Sequence, residues 1–485
     1  MILGLGKGGE VLSMSYLDNL KQTTNKTTYT ENGAITNQST LNPVLDFFSM
    51  AAAMRGDKEG AVRLFSKACS FDQQLAIRAL FYVRDIRGGQ GERDIFRACI
   101  ASLPVDVQAK IAKYVSEYGR YDDLMYFKSY EIVNEIIKEQ LATDEANMKA
   151  GNSVSLLAKW LPSENASSRE TKILAKTVRE ALGLKPSEYR RKLSALRKYI
   201  NILERQMSAN RWEEVNYEKL PSQAHRKHVD AFKRHDEERY SGYIEAVEKG
   251  EKKINTSTLF TYEVFDMVKK GQDEVANAMW NNLPDYTNGK NALVLADVSG
   301  SMSGRPMSIS VSLALYFAER NKGSFNGYFM TFSAVPQLIQ VTGDTLKQKL
   351  SNIENAQWDM NTDIQKAFKA ILDAALLNKA TQEEMPSVLY IISDMEFDRA
   401  TEENDQTNFE HAKSMFEAAG YKLPHVVFWN VDARNDQSPA TMYDNNVTLI
   451  SGSSQSTFRY AVEGKTPIES MNDILNSDRY SKIVI

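Results

Sequence analysis

Asp297, Ser299 and Ser301 stand at alternate positions in LVLADVSGSMSG, residues 293 to 304, directly after an apolar run. One carboxylate and two hydroxyls delivered together by the end of a buried strand are hard oxygen donors. Such donors suit Mg²⁺ or another divalent cation, which keeps several waters and seldom takes more than one or two carboxylates. The neighbouring glycines and serines let the backbone turn sharply there. The same residue types also build ordinary turns and helix caps, so both outcomes stay open at this point.

Catalytic chemistry finds less material. The five histidines are His225, His228, His235, His411 and His425; none has HExxH spacing, and there is no GxSxG elbow. His225 and His228 share a helix turn but lack a third ligand, which leaves them solvated or capping roles. Asp297 as a phosphoryl-accepting nucleophile would want a second acid two positions on, where Ser299 stands. Glu396 and Asp398, shortly after Asp394, keep a two-metal hydrolase as the alternative. With no base paired to a nucleophile, no catalytic residue is expected and a binding protein is. Cys69 and Cys99, the two cysteines of the chain, make neither a disulfide framework nor a zinc site and read as small core residues.

The elements that position the triplet belong to an α/β pattern beginning near residue 290. Strands are expected at 292–298, 326–332, 337–341, 387–393, 425–431 and 447–450, with helices at about 306–320, 345–356, 362–378, 407–419 and 455–463. Runs such as VLYII and HVVFWNV are apolar on both faces, as central parallel strands must be. In an open doubly wound sheet ligands bind beyond the carboxyl ends of the strands, where Asp297 and Asp394 fall.

Residues 43–285 carry apolar positions three and four apart, punctuated by Gly and Pro. They read as an all-α region of antiparallel helix pairs, HEAT-like in kind. Within it, Tyr189, Leu193, Leu196, Ile200, Leu203 and Met207 predict one helix over 186–209. Residues 1–42, rich in Thr, Asn and Gly, read as a flexible arm. The three parts of the 485-residue chain are thus 1–42, 43–285 and 286–485. No apolar run approaches a membrane span and no secretory pattern opens the chain, so a cytoplasmic protein is expected. The net charge of −4 is uneven: residues from 286 onward carry −7 and the remainder +3.

Basic residues of the helical region are clustered. Arg84, Arg87, Arg93 and Arg97 surround Gly88 and Gly89, an arrangement suited to phosphate oxygens or, equally, to an inter-helix ion-pair network around an αα turn. On the predicted helix 186–209 the polar side presents Arg190, Arg191, Lys192, Arg197, Lys198 and Arg205, a candidate footprint for RNA unless it is simply a solvated face. Arg211 lies beside Trp212, which would stack an unpaired base or anchor the core, as would Trp160.

Three resemblances extend these readings. Asp-x-Ser-x-Ser after a hydrophobic strand resembles the metal-ion-dependent adhesion site of von Willebrand factor A domains. That resemblance implies a later Thr and a later strand-terminal Asp as further ligands, and MNTDIQKAF and SVLYIISDMEFD supply Thr362 and Asp394. It also implies a position on the metal open to a partner's carboxylate, with Asp394 acting through a water. The bland alternatives are Thr362 as a helix cap and Asp394 as a cap of the next segment. Separately, FYVRDIRGGQGERDIFR (81–97), YGRYDDL (118–124), LLAKWLPSENASS (156–168), LERQMSANRWEEVNYEKLPS (203–222) and KRHDEERYSGYIEAVEKGEKKIN (233–255) closely resemble the family called domain of unknown function 2828. Members of that family occur in phages, large DNA viruses and eukaryotes. The two-part layout is more distantly similar to the Ro autoantigen family, whose helical TROVE ring binds noncoding RNA. That similarity implies structured RNA as a partner through Arg84, Arg87, Arg93, Arg190, Arg191, Arg197, Lys198 and Arg211. The alternative is a metal-dependent protein-interaction or viral assembly module without nucleic acid.

Overall fold

The computed structural model describes residues 16–25, 27–287, 289–332, 335–354, 362–399, 406–461 and 463–485. A helix, Tyr16–Thr23, and two short strands, β1 (Thr27–Tyr29) and β2 (Ile35–Asn37), precede a series of helices. Then come six further strands: β3 (Ala292–Asp297), β4 (Tyr328–Phe332), β5 (Gln337–Gln340), β6 (Val388–Ser393), β7 (His425–Asn430) and β8 (Val447–Ser451). The helical region and the six-stranded sheet agree with the α plus α/β expectation, and every expected strand is present within a residue or two of its bounds.

The six strands form one sheet in the order β5-β4-β3-β6-β7-β8. All neighbours are parallel except the β4/β5 edge pair. Chain order reverses between β3 and β6, which makes their carboxyl ends the switch point of the sheet. Strands β3, β6, β7 and β8 are buried along their whole length. Successive side chains of a strand face opposite ways, and β3 shows it: Ala292, Val294 and Ala296 share a core with the helix Arg305–Arg320, while Leu293 and Leu295 share another with Ile364–Asn378 and Asn408–Ala418.

Packing does not respect the change of texture near residue 286. The helices from Leu203–Ser208 to Asp273–Asn281 join the core of the sheet's Arg305–Arg320 face. Residues 44–200 form a separate core, completed by Met471, Ile474, Leu475, Tyr480 and Ile483 from the far end of the chain. The last helix, Pro467–Leu475, went unexpected although its signal was present: Thr466 and Glu469 make a capping box and Pro467 takes the first turn.

Two expectations are corrected. The predicted helix 186–209 is two, Pro186–Tyr199 and Leu203–Ser208. Asn201 sits at φ 55 between them and donates to the Lys198 carbonyl. Asn tolerates this left-handed conformation and ends the helix there, although Tyr189, Leu193, Leu196 and Leu203 are all buried as the stripe required. The arm expected over 1–42 is ordered structure where it is described: a helix, Tyr16–Thr23, and then a hairpin from residue 27 onward. β1 pairs antiparallel with β2 around a turn at residues 30–33, with Gly33 at φ 83, the sequence Asn32-Gly33 being a strong hairpin signal. Residues 1–15 lie outside the described residues. Among the described residues no helix is long and apolar enough to cross a membrane.

Candidate metal centre and the residues that cover it

β3 and β6 run side by side and in register, Ala296 opposite Ile392, so Asp297 at the end of one and Asp394 just past the end of the other emerge together. Asp297 is fully buried. Its Oδ2 accepts from Ser393 Oγ at 2.5 Å and its Oδ1 from the Ser299 backbone N–H at 2.9 Å. Burial, with the Asp394 charge second, pushes its carboxyl up to about 7, against the lowering effect of these hydrogen bonds. The like charge of Asp394 disfavours ionisation of Asp297, while Asp394 itself is paired with Arg434.

The hydroxyls of Ser299 and Ser301 are hydrogen-bonded to each other at 3.0 Å. The donor chemistry, a carboxylate beside two hydroxyls, suits a hard divalent ion. Among the described residues no group of three or more His, Cys, Asp or Glu side chains could hold a metal, so such a centre depends on its hydroxyls.

Thr362 does not cap the adjoining helix. Asp363 does, accepting from the Lys366 N–H at 3.2 Å. The Thr362 hydroxyl donates to Asp398 Oδ1 at 2.9 Å and accepts from Asn32 Nδ2 at 2.7 Å, and Asn32 also donates to the Glu396 carbonyl at 2.6 Å. The hairpin turn thus lies over this edge of the sheet. Glu396 is itself buried, and its carboxylate accepts from the Glu31 N–H at 2.6 Å and from Asn435 and Gln437, each at 2.9 Å. Both acids of the two-metal alternative therefore serve other bonds, Glu396 to the hairpin and Asp398 to Thr362.

Arg434 was missed in the sequence. Its guanidinium donates to Asp394 Oδ2 at 2.6 Å, to Glu31 Oε2 at 2.7 Å and to the Ser301 carbonyl at 3.0 Å. Nothing in the pattern of VDARNDQ marks it, because its partners lie 40, 403 and 133 residues away.

The glycine-rich motif has a different occupation. Arg84 is buried and bonded to Asp123 at 2.8 Å, and Arg97 to Asp123 at 2.7 Å and Asp122 at 2.8 Å. Asp85 takes the Tyr480 hydroxyl at 2.9 Å and the Arg479 guanidinium. Gln90 donates to the Ser451 carbonyl at 3.2 Å, and Tyr460 to that of Gly88. A Cβ on Gly89 would sit 2.0 Å from the Tyr82 carbonyl oxygen. The loop is a joint between the first helices and the end of the α/β region. Of its arginines only Arg87 and Arg93 are exposed, and Arg93 reaches Asp94 at 3.2 Å.

The other basic residues divide similarly. Arg197 spends its guanidinium on Ala158 O, Ser163 Oγ and Leu161 O at 2.7, 2.7 and 2.8 Å. Lys192 pairs with Glu145 at 2.6 Å, Arg190 with Glu164 at 3.8 Å and Arg211 with Glu214 at 3.0 Å, while Arg191 and Lys198 are exposed. Trp212 is buried and stacks on His235 at 4.5 Å, and Arg120 lies 3.9 Å over the half-buried Trp160. His225, expected to be solvated or capping, is instead buried among Tyr217, Phe232, Tyr240 and Tyr243, bonded to the Tyr240 hydroxyl at 2.9 Å and pushed down to about 4 by burial.

Residues 30–104 and 107–293 match the family described as domain of unknown function (DUF2828). The chain belongs to that family. Residues 291–482 match a second, described as domain of unknown function (DUF7788), which begins within a residue of β3. A curated relative, uncharacterized protein L728 of Acanthamoeba polyphaga mimivirus, is 28% identical over 472 residues, covering 87% of this chain and 82% of its own length. The DUF2828 match begins at residue 30, so it includes the turn that lies over the carboxylates.

Proposed function

We propose that the protein is a divalent-metal-dependent binding protein whose α/β region is a von Willebrand A-like domain. Its adhesion site would comprise Asp297, Ser299, Ser301, Thr362 and Asp394. The observation that carries the reading is the pair of serine hydroxyls 3.0 Å apart beside a buried carboxylate pushed up to about 7 at the switch point of the sheet. A bound Mg²⁺ would supply a positive centre for a partner's carboxylate. Asp297, Ser299 and Ser301 would hold the ion, Asp394 would add charge, and Ser393 would orient Asp297.

A second role in binding structured RNA, with the Ro-like scaffold as its analogy, rests on the exposed cations Arg87, Arg191 and Lys198. Arg84 and Arg197 do not support it, since their donors are bonded within the protein.

Calorimetric titration with Mn²⁺ tests the first reading. The chelator-treated wild type should bind one ion, and the Ser299→Ala/Ser301→Ala double variant should lose at least about tenfold in affinity, as expected when ligands of a hard cation are removed. Equal binding by the two proteins, or none by the wild type at millimolar Mn²⁺, would overturn it.

A further inference from the structure

We propose that the chain carries its own carboxylate ligand for this metal centre: Glu31, on the hairpin turn, with Arg434 as the group that holds it while the ion is away. The inference rests on the metal-binding reading above and deepens it, because it says what an incoming partner must displace.

The turn is fixed in place independently of Arg434. Thr30 Oγ1 donates to the Phe397 carbonyl at 2.7 Å, the Glu31 N–H to Glu396 at 2.6 Å, and Asn32 Nδ2 to Thr362 Oγ1 and the Glu396 carbonyl at 2.7 and 2.6 Å. Gly33 bridges to Asp398 and Asn37 to Ser438. A buried carboxylate, that of Glu396, is committed to holding this loop and its neighbours Asn435 and Gln437. Buried charge is costly unless fully hydrogen-bonded, so the commitment marks the turn's position as specified rather than incidental.

With its backbone anchored, Glu31 directs a side chain that is 47% exposed toward Asp394. The two carboxylates are joined by one planar cation: Arg434 Nη1 binds Glu31 and Nη2 binds Asp394, while Nη2 also takes the Ser301 carbonyl. The guanidinium does with a single charge what a divalent ion between the same carboxylates does with two. Arg434 is 30% exposed and can turn to solvent when an ion takes its place. Glu31 then occupies the position that a partner's carboxylate would otherwise fill. Metal and Arg434 are alternative occupants, and an external carboxylate competes with Glu31.

The test uses the full chain and Mn²⁺ alone, with affinity read by electron paramagnetic resonance of free Mn²⁺ and the number of waters on bound Mn²⁺ read by proton relaxation. Glu31→Gln should weaken Mn²⁺ binding about tenfold and add one water to the bound ion, since ligand charge tunes affinity in such sites. Arg434→Gln should tighten binding by about the same factor and leave the water count unchanged. Arg434→Lys, which keeps a charge but cannot bridge two carboxylates in one plane, should fall between and guards against a folding defect in the first variant. If Glu31→Gln binds Mn²⁺ with wild-type affinity and wild-type hydration, the proposal is overturned while the metal centre stands. Wild-type affinity in Ser299→Ala/Ser301→Ala instead removes the metal centre itself.

Discussion

The loop at 84–93 and the loop at 297–301 resemble each other in sequence: each joins charged or hydroxyl side chains to glycines and invites a ligand. In the fold they are opposites. The charged groups of the first that lie inward are bonded to other parts of the chain, Arg84 to Asp123 and Asp85 to Tyr480, and the Gln90 amide N–H reaches Ser451. The second concentrates acidic oxygens instead: the Asp297 carboxyl, hydrogen-bonded yet pushed up to about 7 by burial, lies near the Asp394 carboxylate, which is bonded to Arg434. Glycines in the first serve close backbone packing, and in the second a turn. Whether a motif binds something depends on which of its hydrogen-bonding groups the fold has already used.

The sharpest way to break the contrast is Gly89→Ala. Its Cβ would fall 2.0 Å from the Tyr82 carbonyl oxygen, and a backbone atom cannot rotate aside. Overpacking of this kind costs about 3 kcal/mol, so urea denaturation should show a midpoint lowered accordingly. Mn²⁺ affinity of the folded protein should be unchanged, because the loop is a joint and not a ligand site.

Asp297→Asn should do the reverse. An acid whose carboxyl is raised in the folded state holds its proton there between about 4 and 7, a range in which the unfolded chain has lost it. The sign is therefore that the chelated wild type loses stability as pH rises through this window and levels off above it. Removing the acid should flatten that slope and stabilise the chelated protein at pH 8 by about 1–3 kcal/mol, given about 1.4 kcal/mol per unit of displacement and the discount owed to a buried site. Cation binding should disappear. Thermal melts with and without Mn²⁺ between pH 4 and 8 measure both. The depressed His225 and His425, each pushed down to about 4, act oppositely by weakening the fold as pH falls below 6.5. Asp297→Asn should leave that limb intact.

Strands were legible because parallel strands buried on both faces carry near-continuous apolar runs, and β3, β6 and β7 do between their polar ends. Asp297 and Asp394 were placed correctly for the same reason, since the end of a buried strand fixes where the next residue emerges. The hairpin was lost because three-residue strands carry too little periodicity, although Asn32-Gly33 announced its turn. The break at Asn201 was lost because an apolar stripe can continue in register across a change of helix. Arg434 and Glu396 were out of reach for a different cause: their meaning lies in contacts such as Arg434 with Glu31, 403 residues apart, and no local pattern encodes those.

The smallest effect is expected on the basic surface, where the same contrast between used and unused groups recurs within one helix. Arg197 gives its donors to two carbonyls and a hydroxyl, whereas Arg191 and Lys198 are exposed. If RNA binds here, Arg191→Gln/Lys198→Gln should weaken affinity for a structured RNA by about tenfold at low salt. It should also reduce the slope of log affinity against log salt by nearly two, one counterion for each lost phosphate contact. Stability should be unaffected, as for most exposed substitutions. Arg197→Met should behave the other way, losing about 1–3 kcal/mol through unpaired carbonyls with no change in the salt slope. Fluorescence anisotropy across a salt series separates the two, and an unchanged slope in the double variant would exclude Arg191 and Lys198 as phosphate contacts.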